Sequence, residues 1–515
     1  MNDRPKLVLQ ILSAGILCGV LGDALLRAGP VGVNVTLWVG FVVAVLLALS
    51  ASHKVAWSRA TYWVALGLLV FAAGFAWRDS PVLKFLDFFA LVVVVGVWSL
   101  TVEARGVRAW GLLDHLRGLA NAGAAALAGA AGLSKSGVSW NTERHAPALR
   151  HVRGAALGIL IAFPLVFLFG ALLMEADAVF DRMVTDAVDI DFATVFSHGA
   201  LTAFFAWIVC GFTLLMLKVN KPIVADTPRI GRPGLGLLEV AVPLALIDLL
   251  FLLFVVVQLR YLFGDASLVQ QTVGLTYAEY ARRGFFELVM VAALVLPLLL
   301  LADWVLAEAD RKTQRIFRAL AGTQLILLFI ILASAVKRML LYQSAYGLTD
   351  ARLYTTAFMV WLGVVLVWFV VTVLRGRRQP FVSGALLAGL LTILVLNVLN
   401  PDALIARVNT ERVYAGKAFD AAYHLSLSGD AAPVLVSALP NLSPDDRCTL
   451  AKRLLERWSP SEPDWRTWSL GRSRARKVVA GARAELSEIA CEPPADEGPR
   501  DPATDSGEAD SQAAP

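Results

Sequence analysis

LEVAVPLALIDLLFLLFVVVQL, residues 238–259, is one of a series of apolar runs, and its length decides the fold. At about 1.5 Å per residue, a helix of this length crosses a hydrocarbon core of about 30 Å. Ten further runs share that length. The expected spans are 7–27, 31–51, 61–77, 82–101, 154–174, 198–217, 238–259, 285–307, 319–341, 353–374 and 381–400. Hydrophobic residues make up 57% of the 515 and charged residues 17%, against about 25% charged in a soluble domain. The mean hydropathy is +0.66. The expected fold class is therefore all-α: a polytopic transmembrane helical bundle of about eleven spans over residues 1–400. A small C-terminal helical domain over 401–491 and a disordered acidic tail over 492–515 are expected to follow.

The first run does not read as a cleaved signal peptide, because it lacks a small-residue cleavage site and a second span follows at once. Gly29-Pro30 separates the two, a pair suited to a helix stop and turn. Cytoplasmic loops carry an excess of Lys and Arg. With the N-terminus inside, the inner face holds 22 basic residues and the outer face 10, so the expected N-terminus is cytoplasmic. An odd number of spans then puts the C-terminal part outside. The net charge of +5 is explained by these topogenic residues and implies no nucleic-acid partner.

Six of the ten outer basic residues fall in two hairpins, 260–283 and 337–352. The first contains GLTYAEYARRGFFEL (274–288) and the second AYGLTDARLYTTAF (345–358). Gly-Leu-Thr reads in both as the start of a helix. Thr276 and Glu279 fit a capping box, whereas Thr349 keeps the cap without the reciprocal Glu. The repeat also hints at an internal duplication of span pairs. Capping leaves the neighbouring charges and tyrosines unexplained. Arg260, Tyr277, Tyr280, Arg282, Arg283, Glu287, Arg338, Tyr342, Tyr346 and Arg352 fit two readings. One is an aromatic belt with snorkelling arginines. The other is an outer-face pocket for a polar or anionic ligand, such as a lipid head group or saccharide.

Two acids lie inside spans, Asp248 in the quoted run five residues after Pro243, and Asp87 in the fourth span. An acid at such depth costs a few kcal/mol on insertion and ordinarily faces the bundle interior. Asp248 suits proton transfer, pairing with a basic residue inside the bundle, or a structural hydrogen bond. Cys18 and Cys210 lie in apolar runs and read as packing thiols.

The inner loop 102–153 holds an Ala/Gly-rich stretch whose side chains are too small to read as a span; it is expected to lie on the membrane or to re-enter it. Its Gly129–Ser136 segment falls one residue short of a phosphate loop, with Ser134 at the second glycine and no strand before it. His115, His145 and His151 lack metal-ligand spacing and read as solvated loop residues. Beyond residue 400, Ser443 and Pro444 mark a helix start, and a second helix is expected over about 470–490. A disulfide between Cys448 and Cys491 would join these two helices in an oxidising compartment. The tail 492–515 is acidic and Pro-rich, without the apolar residues to fold. No catalytic, metal-binding or cofactor-binding fingerprint is present, and membrane lipids are the expected partners.

The stretches TYAEYARRGFFEL, YQSAYGLTDARLYT and LNVLNPDALIARVNTER together resemble the bacterial polytopic membrane family of domain of unknown function 4153/4173, over about residues 150–430. The resemblance implies an integral membrane protein of the bacterial plasma membrane. It marks Tyr277, Tyr280, Arg282, Arg283, Gly284, Tyr346, Gly347, Thr349, Arg352, Asn400, Pro401 and Asn409 as shared residues without giving them roles. The expected function is binding of a polar or anionic ligand at the outer-face pocket, with a secondary transporter as the alternative and a lipid or glycan transferase as the third reading.

Overall fold

The computed structural model describes residues 4–55, 57–102, 112–129, 192–217, 236–262, 285–306, 310–377, 379–458 and 464–489. Every regular element among them is helical. Eleven long helices come first: α1 (Arg4–Leu26), α2 (Val33–Ser52), α3 (Arg59–Trp77), α4 (Pro81–Val102), α5 (Leu112–Ala128), α6 (Phe192–Met216), α7 (Leu237–Leu262), α8 (Phe285–Val305), α9 (Arg311–Tyr346), α10 (Asp350–Thr372) and α11 (Gln379–Leu399). Among the described residues, nine helices are long and apolar enough to cross a membrane, and α8 adds an apolar stretch at Val289–Val305. The chain is a multi-pass integral membrane protein. The expected span at 154–174 lies outside the described residues.

Contacts divide the chain into two units. One is Met1–Pro401 with Pro463–Leu470, and the other is Asp402–Glu462 with Gly471–Pro515. The segment Pro463–Leu470 therefore goes with the helical bundle rather than with the rest of 401–491.

In the bundle, apolar side chains serve two surroundings. Leu244, Leu299, Leu325, Leu328, Leu366 and Phe369 fill the core of α7–α11, while Leu249, Leu250 and Leu253 of α7 turn outward, each 62% exposed, to face lipid. Lipid is as apolar as leucine, so helices pair here through close packing rather than water exclusion. The α1–α6 pair shows this. Gly15 faces Cys210, Gly19 faces Thr202 and Ala206, and Gly22 faces Phe205, which makes the helices antiparallel. A Cβ on Gly19 would lie 2.4 Å from the Thr202 carbonyl oxygen.

Two expectations need correction. The inner loop 102–153 contains α5, packed between α4 and α6. The Ser99 hydroxyl donates to the Gly118 carbonyl at 2.8 Å, and Trp207 Nε1 donates to the Leu127 carbonyl at 3.1 Å. Alanine and glycine weaken the hydropathy signal of α5 but let backbones touch. His115 is correspondingly buried, 6% exposed and 3.4 Å from the Ser383 hydroxyl, not solvated. Second, α9 has 36 residues, about 54 Å of helix. Lys337, Arg338 and Tyr342 thus belong to its last turns, and the hairpin to α10 shrinks to Gly347–Thr349.

The Thr36 hydroxyl donates to the Ala72 carbonyl at 2.6 Å, and Arg78 Nε donates to the Asn397 carbonyl at 2.6 Å. These bonds gather the N-terminal end of α2 and the C-terminal ends of α3 and α11 at one end of the bundle. The N-terminal turn of α1 lies at the other.

The second unit is built from α12 (Pro401–Tyr414), α13 (Ala421–Ser426), α14 (Ala432–Ala438), α15 (Pro444–Trp458), α16 (Leu470–Gly481) and α17 (Arg483–Ile489). The helix expected over 470–490 is thus two, broken at Ala482. Ile405, Leu435, Leu450, Leu454, Val479 and Leu486 are buried. Ser443 caps α15, its hydroxyl accepting from the Asp446 N–H at 3.2 Å. α15 packs against α17. Cys448 on α15 is disulfide-bonded, and Cys491 lies outside the described residues, as does the tail 492–515.

Candidate functional site

The expected outer-face pocket divides at the limit of description. Tyr277, Tyr280, Arg282 and Arg283 lie outside the described residues. Arg260 falls in the last turn of α7 and Glu287 in the first turn of α8, without described side chains. The second hairpin is fully described. Gly347, at φ 79°, ends α9 in a conformation that L side chains rarely adopt, and its N–H bonds the Gln343 carbonyl at 2.8 Å. Arg352 reaches back from α10, donating from Nη1 to the carbonyls of Tyr346 (3.0 Å) and Gly347 (2.6 Å). Its guanidinium lies 4.1 Å from the Tyr342 ring centroid, and Tyr342 packs on Tyr346. This arginine thus satisfies helix-end carbonyls that have no intrahelical donor. Thr349 stands at the N-cap of α10 with extended backbone, but its side chain makes no cap hydrogen bond. The expected Thr cap is one of position only. Gln343 Nε2 fastens the corner instead, donating to the Thr356 hydroxyl at 2.8 Å.

The bundle interior holds polar groups of another kind. Asp248 is 7% exposed, and neither of its carboxylate oxygens has a hydrogen-bond partner among the described residues. Its helix, α7, contains Pro243. Proline has no N–H, so the Glu239 carbonyl four residues earlier loses its helical donor. α8, which packs on α9, contains Pro297. α7 packs on α9, where Gln324 is fully buried with both amide atoms unpartnered among the described residues. An acid, an amide and two interrupted helices therefore lie within one apolar core.

Asp87 is fully buried but tied down. Asn397 Nδ2 donates to its Oδ1 at 2.9 Å, and Arg78 fixes the same turn of α11 through the Asn397 and Val398 carbonyls. Gly74 provides room for the carboxylate, since a Cβ there would lie 2.2 Å from Oδ2. This is a brace joining α3, α4 and α11. A fourth cluster escaped sequence reasoning because its members are 175 residues apart. Asp23 of α1 accepts from Arg27 Nη2 at 2.8 Å and bonds His198 Nδ1 of α6, while Arg27 Nη1 donates to the Ser197 hydroxyl at 2.9 Å. No set of three or more His, Cys, Asp or Glu among the described residues is placed to hold a metal ion.

The hairpin, the Asp248 core and the Asp87 brace share one stretch of chain, and a family profile covers it. The profile, described as Domain of unknown function (DUF4153), matches residues 65–438. The chain belongs to this family. No curated protein and no solved structure matches the chain. The DUF4153 match begins within α3, well before the stretch that the sequence resemblance covers, and ends at α14. It takes in Asp87, Asp248, Gln324, Arg352 and Asn397, and leaves out Asp23 and the segment Pro463–Leu470. Several residues that the sequence resemblance marks as shared sit at corners. Gly347 and Arg352 close the α9–α10 turn. Asn400, at φ 56°, turns the chain from α11 into α12, and Asn409 holds His424 through its amide at 3.2 Å.

Proposed function

We propose that this protein is a secondary transporter of the bacterial plasma membrane, N-terminus cytoplasmic, that moves protons or a proton-coupled polar solute through the α7–α9 core. The observation behind the reading is Asp248, whose carboxylate is buried in a proline-interrupted helix with no hydrogen-bond partner among the described residues. A permanently unpartnered acid costs stability without return, whereas one that takes up a proton from one face and releases it to the other needs freedom from fixed partners. Pro243 and Pro297 favour the same reading, because interrupted helices at the bilayer midplane line transporter sites. A pocket for a lipid head group or saccharide at the outer corners is less favoured. The described half of that corner has an arginine engaged by its own backbone.

The test is proton flux by the full chain in liposomes loaded with a pH-sensitive dye, driven by a potassium diffusion potential. Wild type should conduct, Asp248→Asn should lose the flux, and Asp248→Glu should keep part of it. Asp248→Leu should also raise the melting temperature, because it removes a charge buried in apolar surroundings. Equal flux in wild type and Asp248→Asn would end the proposal.

A further inference from the structure

The segment that leaves the second unit to join the bundle exposes the wrong side chains for a loop in water. Trp465 and Trp468 are 62% and 42% exposed, whereas Thr467 and Ser469, both small and polar, are buried at 7% and 0%. The arrangement is held firmly. Asp464 caps the single 3₁₀ turn Trp465–Thr467, accepting from the Arg466 N–H at 2.9 Å. Arg466 returns through Nη2 to Asp464 Oδ2 at 2.6 Å, and its Nη1 donates to the Ala24 carbonyl at 2.6 Å. The Val33 N–H donates to the Trp468 carbonyl at 2.8 Å. Gly32 permits that contact, since a Cβ there would lie 2.4 Å from the same oxygen.

Those two anchor points fix the depth of the loop. Ala24 is in the last turn of the span Lys6–Leu26, and Val33 is the first residue of the span Val33–Ser52. A turn bonded to both lies at the edge of the hydrocarbon. There the lipid-facing side chains of the same helices, Leu17 and Val20 of α1 and Leu37 of α2, continue the exposed apolar surface. Tryptophan suits that depth, with an apolar ring and one polar N–H. We infer that residues 464–468 form a membrane-interface anchor, with Trp465 and Trp468 inserted among lipid head groups beside the α1–α2 turn. Asp464 balances Arg466 at the tip, so insertion does not depend on anionic lipid.

The experiment uses the full chain in phosphatidylcholine nanodiscs, with Trp465→Cys carrying an environment-sensitive NBD dye and the unlabelled parent as blank. The same dye at the exposed position of Ser437→Cys gives the aqueous reference. The Trp465 position should emit to the blue of that reference. It should lose most intensity to lipids spin-labelled near the head group and little to aqueous iodide. Adding phosphatidylglycerol should leave the emission unchanged. Reference-like emission with full iodide quenching would overturn the inference. So would blue emission untouched by spin-labelled lipid, which means a protein covers the ring, or insertion that requires anionic lipid. Trp468→Cys gives the same readout from the second ring if Trp465→Cys does not fold.

Discussion

Burial of His424 pushes its imidazole below the ordinary histidine range, and its partners explain how. Nδ1 donates to the Asp420 carbonyl at 2.6 Å, so Nε2 receives the Asn409 amide at 3.2 Å as an acceptor. Phe419 stacks on the ring at 4.2 Å. A second proton would set an N–H against the Asn409 donor. The unfolded chain, with an ordinary pKa of about 6.5, takes up that proton first. Stability of this unit is therefore unaffected well above pH 6.5 and falls as pH drops below it, by at most about 1.4 kcal/mol per pH unit. Amide exchange across 421–426, corrected for its intrinsic pH dependence, should accelerate from pH 7.5 to 5.5, and His424→Gln should flatten the trend. Residue identity alone showed which side chains were unusual, not what occupied them. Arg352 is conspicuous as a charge on the wrong face, yet its partners are two backbone carbonyls that no sequence pattern displays. Asp248 was legible as costly, but the absence of a partner among the described residues had to be seen.

Elements were legible in proportion to their apolar length. The runs behind α1–α4 and α7–α11 announced themselves because each must satisfy its backbone within the bilayer. α5 did not, since alanine and glycine lower hydropathy while favouring contact between backbones. α9 was cut short because its polar last turns, from Lys337 onward, resemble a loop in composition while remaining helical. The glycine face of α1 also has no hydropathy signature, and it carries a direct test. Gly19→Ala should cost about 1–3 kcal/mol by forcing α6 away, and Gly19→Leu should abolish the monodisperse peak in detergent. Gly40→Ala in α2 meets nothing within 4 Å and should leave the melting temperature nearly unchanged.

At the scale of the whole molecule, the membrane class followed from composition alone, whereas the limits of its parts did not. Polarity changes near residue 401, and contacts divide the chain after Pro401. The return of Pro463–Leu470 to the bundle was not legible in the sequence, because only its hydrogen bonds to α1 and α2 reveal it. The Cys448–Cys491 bridge remains a proposal, consistent with a bonded Cys448 on α15. Non-reducing gels should show faster migration that reductant removes and that Cys491→Ser lacks. An unchanged pattern would discard the pairing.

Arg466 meets Ala24 across 442 residues of chain. During synthesis the place beside the α1–α2 turn therefore stays unfilled until residues 466–468 have emerged. Closing so long a loop is slow relative to local helix packing, which makes this contact one of the last to form. Until then, the Val33 N–H at the α1–α2 turn lacks the acceptor that Trp468 supplies in the folded chain.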